Sequence, residues 1–300
     1  MRKTAFIAIF ALLVSPLFAA FSPETSDSLF YHDHAYEIDQ AYLFDALEEA
    51  ESDSERAQIL WRLSRTVLTL TDDIDTKDKK ARLAGYGESQ RYAEESLALE
   101  ETADGYHWQA SAIGRIGQVN GPLNSLSKAK PMLELIEKVQ NDFNADMSDA
   151  WYVLSLLYNQ LPGQPMSFGN KNYAISYIRR CVDTQDNENR LNLTNYLELA
   201  EQLNKRNWNE KRRCKELDKM ASSYASQTIP TEQMKFYEGR DGQNTTVFYS
   251  DLTLGEMTDR EEAAAVCRYA LSVYENADMV FVSDTETADE IIKLLNKLEK

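Results

Sequence analysis

Two short clusters of this sequence contain residue types that bind metals or react with one another. His32, Asp33 and His34 are consecutive, and imidazole and carboxylate groups are common metal ligands. The remaining histidine, His107, falls in a helix-core pattern. Two histidines without further organised ligands make a poor metal site, so we predict a solvated polar segment there and no metal or other cofactor.

The second cluster is the sequence Arg-Arg-Cys, which occurs at Cys181 and again at Cys214, with Cys267 as the third cysteine. If the first two cysteines lie on neighbouring helices in an oxidising compartment, they could form a disulfide. That bond requires Cα atoms about 4.4–6.8 Å apart, which the spacing in sequence does not establish. The alternative, which we favour, is that both are small residues of the core.

Motifs of known catalytic chemistry do not occur in the sequence. We find no Gly-rich phosphate loop, nucleophile elbow, HExxH or paired CxxC. Acidic pairs such as Glu48-Glu49 lie in polar stretches and are predicted to be solvated. The sequence therefore predicts a binding protein and not an enzyme.

The helices that would position a binding site follow a tetratricopeptide-like repeat, which is clearest at residues 149–158. Large residues at i, i+3 and i+7 form a buried stripe, and a small residue at i+4 lets a partner helix approach closely. Four copies begin at Leu60, His107, Trp151 and Tyr196, with spacings of 47, 44 and 45 residues. Their small positions are Ser64, Ser111, Ser155 and Ala200.

Second helices of the repeat should show a small residue followed by contacts four and seven positions later. This pattern fits well from Ser89 and Ala174 and loosely from Ala129. It is poor at residues 210–220 and recurs as a detached copy from Ala263. The period exceeds the usual ~34 residues. We therefore predict long connections at residues 120–130, with a late helix start near Pro131, and at residues 161–170.

These patterns predict an all-α protein, a tetratricopeptide-like solenoid of about four helix pairs with a C-terminal helical cap. The predicted segments are a signal peptide, a polar tether, the solenoid and the cap region, at residues 1–20, 21–35, 36–226 and 227–300. In the cap, residues 233–237 and 245–250 flank a Gly-Arg-Asp-Gly turn, which is compatible with a short β-hairpin. Helices are predicted at residues 258–274 and 286–299.

In tetratricopeptide arrays the position after the start of each repeat faces the concave groove, and the next groove-facing positions lie four and seven residues further along the helix. The groove residues predicted on this basis are Trp61, Arg65, Trp108, Arg115, Tyr152, Leu156, Asn159 and Leu197. An aromatic ridge with a few polar points suits an amphipathic ligand or an extended peptide. Arg115 is placed to meet a carboxylate or phosphate head. The alternative is that the aromatic residues are core, covered by insertions or by the C-terminal region.

Residues 106–183 resemble a family of tetratricopeptide-like proteins with extended loops between helices. The resemblance rests on Tyr106-His107-Trp108 followed by Gly114, Lys128-Ala129-Lys130, residues 149–158, Leu161-Pro162-Gly163, and Gly169-Asn170 leading to Ala174, Tyr177 and Ile178. Similar arrangements occur in the T component encoded beside tripartite ATP-independent periplasmic transporters and in regulator-of-microtubule-dynamics proteins. The resemblance implies an α-solenoid and, from the exported relatives, a periplasmic binding role.

The N-terminus has the features of a secretory signal peptide. Arg2 and Lys3 precede an apolar run that ends in Ala19-Ala20, so we expect cleavage near Ala19 or Ala20. No cysteine follows the run, so a lipid anchor is not expected. The predicted location is the periplasm, without stable membrane insertion after cleavage.

Charge and composition restrict the partners. The chain has 32 basic and 49 acidic residues and a net charge of −17, which disfavours binding to nucleic acid and to anionic lipid surfaces. We predict an adaptor that binds a protein partner, such as a periplasmic solute-binding protein, or an amphipathic small molecule, as an accessory to solute uptake. The alternative is a structural scaffold that assembles cell-envelope proteins.

Overall fold

A computed structural model of the chain describes residues 21–185 and 191–300, with the backbone alone at residues 122–125. The described residues form thirteen α-helices: α1 (Pro23–Tyr31), α2 (Tyr36–Glu49), α3 (Asp53–Asp72), α4 (Lys79–Leu99), α5 (Ala103–Asn120), α6 (Pro122–Asn141), α7 (Ser148–Gln160), α8 (Lys171–Thr184), α9 (Leu193–Arg206), α10 (Glu210–Ser226), α11 (Pro230–Met234), α12 (Asp259–Glu275) and α13 (Val282–Leu298). The predicted all-α, solenoid-like fold is confirmed. The predicted signal peptide, residues 1–20, lies outside the described residues.

The first three predicted repeats form helix pairs, α3 with α4, α5 with α6, and α7 with α8. Small residues meet at the predicted contact positions. In the first pair, the Ser89 hydroxyl of α4 donates to the Ser64 carbonyl oxygen of α3 at 2.9 Å. Ser155 of α7 and Ala174 of α8 are fully buried. The spacing of small and large residues therefore predicted both the helices and their contact faces.

The fourth repeat is completed by a helix distant in sequence. Helix α9 packs principally against α12, and Tyr196 and Leu199 of α9 share one core with Ala263, Cys267 and Ala270 of α12. The detached copy of the second-helix pattern thus supplies the partner of α9. Helix α9 ends at Arg206, and the next residue, Asn207, caps it with a left-handed backbone (φ 53°). The chain there turns into a segment that contains α10 and α11 and separates α9 from α12 in the sequence; we call this segment the excursion.

The extra length of the repeats has a different source from the one predicted. Residues 120–130 are not a long connection, since Gly121 alone, at φ 86°, separates α5 from α6, and Pro122 begins α6. Helix α6 then continues through Pro131, so the predicted late start is wrong. Long helices of 18 to 21 residues in the first two pairs account for the long period. The predicted loop at residues 161–170 is present between α7 and α8.

The segment considered for a β-hairpin is mostly helical. The segment contains α11 (Pro230–Met234), followed by 3₁₀ turns at Tyr237–Gly239 and Gly242–Asn244. Strand pairing within the described part of the chain is limited to one bridge between Val247 and Ser250. A Cβ atom at Gly239 would lie 2.6 Å from the Leu217 carbonyl oxygen of α10. Gly239 therefore lies directly against α10, where a residue with a side chain would collide with the helix backbone.

A group of ionised side chains, all buried except the nearly buried Arg206 and here called the C-terminal ion cluster, joins the excursion and α12 to the solenoid. Its members are Arg179, Arg206, Arg213, Glu238, Asp259 and Glu262. Arg179 donates to Glu262 at 2.5 Å, and Arg206 contacts both carboxylate oxygens of Glu238 at 2.6 and 2.7 Å. Three guanidinium groups face three carboxylates, so the charges balance within the core.

These contacts control the ionisation of the buried acids. Burial alone would raise the pKa of Glu238, but the guanidinium group of Arg206, with those of Arg179 and Arg213, lowers the pKa of Glu238 to about 2. The guanidinium groups of Arg179 and Arg213 likewise outweigh burial at Glu262 and hold its pKa well below the usual range. Both acids are therefore charged in the folded protein at neutral pH.

The N-terminal segment also differs from its prediction as a polar tether. Residues 23–31 form α1, which packs on α2 and α3 and buries Ser26 and Phe30. Asp27 of α1 receives a bidentate pair from Arg62, at 3.1 and 2.9 Å, and a third bond from Arg65 at 2.7 Å. Paired charges therefore hold α1 against α3.

The three cysteines all lie in the described residues, and no two of them form a disulfide. Cys181 and Cys267 are buried in the main core, and the Cys214 thiol donates to the Gly255 carbonyl oxygen at 3.1 Å. The interpretation of Cys181 and Cys214 as small core residues fits Cys181, whereas Cys214 is half-buried.

Candidate functional site

The middle of the solenoid contains a cavity with a volume of about 1490 Å³. Its walls come from α3, α5, α6 and α7, from the α1–α2 turn, and from α12 and α13. Ligand pockets usually measure about 300–1,000 Å³, so this cavity has room for a large organic molecule. We treat it as the candidate binding site and call it the central cavity.

Two aromatic residues of the predicted groove line the central cavity from equivalent positions of α5 and α7. Trp108 is half-buried and packs against Leu68 and Ala112. Tyr152 is half-buried, and burial raises the pKa of its phenol, so the hydroxyl stays protonated. Leu156, one helical turn after Tyr152, lines the same wall. This part of the groove prediction identified cavity residues.

Arg115 also lines the cavity, but it already has an anionic partner. Its guanidinium group donates to Asp72 at 2.8 Å and to the Gln118 side chain at 3.2 Å. The other Asp72 oxygen accepts from the Tyr86 hydroxyl at 2.6 Å. The predicted role of Arg115 as a binding partner for an anionic head therefore conflicts with the structure, because its positive charge is compensated within the wall.

At the N-terminal end of the groove, the predicted residues lie under α1. Trp61 is 5 % exposed and Arg65 is 0 % exposed, and neither lines the central cavity. The Arg65 guanidinium lies 4.0 Å from the centroid of the Phe30 ring and pairs with Asp27. The alternative that these residues are core is correct here, although the N-terminal helix α1, and not an insertion, provides the cover.

At the other end, Leu197 is 8 % exposed and belongs to the core that α9 forms with α12. Asn159 donates to Glu198 at 3.0 Å and so links α7 to α9. Neither residue lines the central cavity. The C-terminal region covers this end, as the alternative interpretation allowed.

Two terminal segments supply wall residues that were not predicted from the sequence. Phe30, Tyr31, His34 and Tyr36 come from the N-terminal side, and Tyr269 and Phe281 come from the C-terminal side. The His34 and Phe281 rings stack with centroids 3.5 Å apart and planes 9° apart, which joins the two segments beside the cavity. All of them except Tyr269 lie outside the repeats, and Tyr269 lies in the detached copy at a position that the pattern does not mark, so the repeat gave no signal for them.

The histidine cluster lies in the turn between α1 and α2, where His32 and His34 line the central cavity. Across residues 21–185 and 191–300, no group of three or more His, Cys, Asp or Glu side chains is arranged to hold a metal ion. In the same described residues, no helix is both long and apolar enough to cross a membrane.

A family model described as regulator of microtubule dynamics protein 1-3 matches residues 24–158. The match runs from α1 to near the end of α7, which is less than half of the chain. It supports the part of the predicted resemblance that concerns this family. Among curated proteins, no match to the chain is found.

Proposed function

We propose that this is an exported tetratricopeptide-like binding protein whose central cavity takes an amphipathic small molecule. The observation that carries the proposal is the cavity itself, with a volume of about 1490 Å³ and a wall that mixes aromatic rings with a few charged groups. Such walls bind the apolar part of a ligand by burial and orient its polar head by hydrogen bonds.

A small molecule fits this arrangement better than an extended peptide. Helix α1 covers the groove at Trp61 and Arg65, and α12 covers it at Leu197. A peptide lying along the groove would need both ends open, as in helical-repeat proteins that bind extended partners. The central cavity needs no displacement of either terminal element.

The cellular role we propose is an accessory to solute uptake. The resemblance of residues 106–183 to the T component of periplasmic transporters and the apolar N-terminal run both support this role. A periplasmic solute-binding protein is then the expected partner. The alternative hypothesis, a structural scaffold that assembles cell-envelope proteins, predicts that no small molecule binds in the central cavity.

The proposal is tested with tryptophan fluorescence, because the chain offers an internal comparison. Of its four tryptophans, Trp108 lines the cavity, whereas Trp61, Trp151 and Trp208 are 2–5 % exposed and do not. Titration with an uncharged amphiphile such as dodecyl maltoside, below its micelle concentration, is expected to change the emission of the wild-type protein. The change should persist in Trp61→Phe and disappear in Trp108→Phe.

Binding strength provides the second readout. The Trp108→Ala variant is expected to bind the same amphiphile about 2 kcal/mol more weakly, as found for aromatic anchors at the centre of a site, with unchanged helical content. An unchanged affinity in a folded Trp108→Ala protein would show that the cavity is not the binding site.

A further inference from the structure

The sequence Arg-Arg-Cys occurs twice, at residues 179–181 and 212–214, and its arginines have different surroundings. Arg179 of the first copy and Arg213 of the second are fully buried in the C-terminal ion cluster. The other two reach the surface, where Arg180 is half-buried and Arg212 is exposed. These two surface arginines differ in one partner.

Arg180 has both an aromatic ring and a carboxylate beside it. Its guanidinium carbon lies 5.4 Å from the centroid of the Tyr237 ring. Its Nε atom donates to one carboxylate oxygen of Asp146 at 3.1 Å, and a terminal nitrogen pairs with the other oxygen. The charge and the planar fork of this guanidinium group are therefore both matched within the chain.

Arg212 has the aromatic ring without the carboxylate. Its guanidinium carbon lies 4.8 Å from the centroid of the Trp208 ring, a contact that orients the cation and leaves its charge uncompensated. The side chain of Arg212 has no hydrogen-bond or ion-pair partner in the described part of the chain. Its guanidinium donors are therefore open to a carboxylate from another molecule.

Two lysines extend this positive charge along the exposed side of α10. Lys211 precedes Arg212, and Lys215 follows them by four and three positions, which places the three side chains on one face of the helix. All three are exposed, and neither lysine forms an ion pair with a residue that the structure describes. We call Lys211, Arg212 and Lys215 the α10 basic face.

The opposite side of α10 holds the basic face in position. Arg213, Leu217 and Met220 are buried there, and Arg213 pairs with Glu262 of α12. The basic face therefore lies on an element that is already ordered, so a partner does not have to order it on binding.

Carboxylates near the basic face are engaged by other groups. Glu216 accepts from Lys219 at 2.8 Å, and Asp218 accepts from the backbone amide of Gln243 at 3.0 Å. The acids in the turns that pack on α10 also have partners: Glu238 in the ion cluster, Asp241 with Arg240 at 3.9 Å, and Glu256 with Thr253 at 2.9 Å. Glu210 lies in the first turn of α10, where the helix dipole stabilises its charge. None of these six carboxylates forms an ion pair with the basic face.

We propose that the α10 basic face docks an acidic surface of a protein partner, with a partner carboxylate bound by Arg212 as Asp146 is bound by Arg180. The inference rests on the proposed role as an accessory with a protein partner, and it adds the surface on which that partner binds. None of the three basic residues lines the central cavity.

The size of the basic face and the charge of the chain favour a protein over a membrane. The helix rises about 6 Å between Lys211 and Lys215, so the face matches one small group of carboxylates. An anionic membrane is a broad plane whose potential acts on the whole chain, and the net charge of −17 opposes that approach. A protein with a local acidic patch contacts the basic face alone.

A fluorescein-labelled dodecaglutamate peptide is the probe for an acidic surface. Its fluorescence anisotropy measures binding to the full chain at pH 7.5. We expect the wild-type protein to bind the peptide at low salt, with an affinity that falls as salt is added, because exposed charges are screened. Absence of binding at low salt would overturn the proposal.

Matched double variants locate the binding. Lys211→Gln/Arg212→Gln removes two exposed cations from the first turn of α10, and Lys79→Gln/Lys80→Gln removes two from the first turn of α4. The α10 variant should bind the peptide roughly threefold to tenfold more weakly, the range for two exposed charge pairs, whereas the α4 variant should bind it as the wild type does. Equal losses would mean that the peptide responds to total charge, which contradicts the proposal.

Two further measurements test other occupants of the basic face. Cosedimentation with phosphatidylglycerol vesicles tests a membrane, and sedimentation velocity tests a second copy of the chain. We expect neither vesicle binding nor self-association of the wild-type protein, and either one, if lost in the α10 variant, would overturn the proposal. Dodecyl maltoside should bind the α10 variant as tightly as the wild type, so failure of the docking proposal is distinguishable from failure of the cavity proposal.

Discussion

At the scale of single residues, the pattern of small and large side chains separates the residues that hold the helices together from those that line the central cavity. Ser155 is fully buried, and its hydroxyl accepts a bond from Gln202 at 2.8 Å. Tyr152, three residues earlier on α7, is half-buried and faces the cavity. The two residues therefore contribute to different properties of the protein.

Replacing Ser155 by Phe is expected to destabilise the fold much more than replacing Tyr152 by Ala. The larger side chain overpacks a contact between helices, which typically costs about 1–3 kcal/mol. Removing the Tyr152 ring mainly enlarges a cavity that already exists. Thermal unfolding followed by circular dichroism compares the two variants, and equal losses of stability would contradict the assignment of faces on α7.

Much of this residue-scale information can be read from the sequence, because it depends on local spacing. The repeat identified Ser64, Ser89 and Ala174 as contact residues and placed Trp108 and Tyr152 on the cavity side. It could not show that Arg115 is neutralised. Its partner Asp72 lies 43 residues earlier, at the end of another helix, and carries no mark in the sequence that relates it to Arg115.

At the scale of helices, the pairing could be predicted where helices adjacent in the sequence pack against each other. It could not be predicted where other helices lie between the two partners in the sequence. Helix α9 packs with α12, although α10 and α11 lie between them in the chain. The C-terminal ion cluster determines this arrangement, because Glu262 of α12 meets Arg179, 83 residues earlier, and Arg213 of α10. The sequence Arg-Arg-Cys, which occurs twice, drew attention to its cysteines. Its arginines matter more for the fold, because Arg179 from the first copy and Arg213 from the second both pair with the Glu262 carboxylate.

The ion cluster makes stability sensitive to acid. The pKa of Glu238 is about 2 in the folded protein and about 4.3 for an ordinary glutamate. A lowered folded-state pKa stabilises the fold fully above the unfolded pKa, and this contribution is lost as the pH falls from about 4.3 towards 2. Urea denaturation at several pH values should show this loss of stability in the wild-type protein.

Glu262→Gln tests the cluster directly. Removing one charge from this buried network leaves three guanidinium groups facing two carboxylates, and breaking a buried pair in this way typically costs about 3–5 kcal/mol. Glu275→Gln, at an exposed position in the last turn of α12, is the matched control and should change stability little. Similar stability of the two variants at neutral pH would show that the cluster does not hold α12 in place.

At the scale of the whole molecule, the terminal segments convert an open groove into a cavity. Helix α1 is fixed by Arg62 and Arg65, α12 and α13 pack on α9, and the rings of His34 and Phe281 join the two segments. These contacts join segments that are distant from each other in the sequence, and the repeat pattern does not relate them. The solenoid could therefore be predicted from sequence, whereas its closure around a cavity could not.

The central proposal for this protein is that an amphipathic small molecule occupies the central cavity. Native mass spectrometry of protein purified from its own host tests this claim directly, because it detects a bound molecule of any chemical identity. We expect a species heavier than the polypeptide by one small molecule, which denaturation releases and which the folded Trp108→Ala variant retains poorly. The mass of the bare polypeptide, together with no binding of dodecyl maltoside in solution, would contradict this claim.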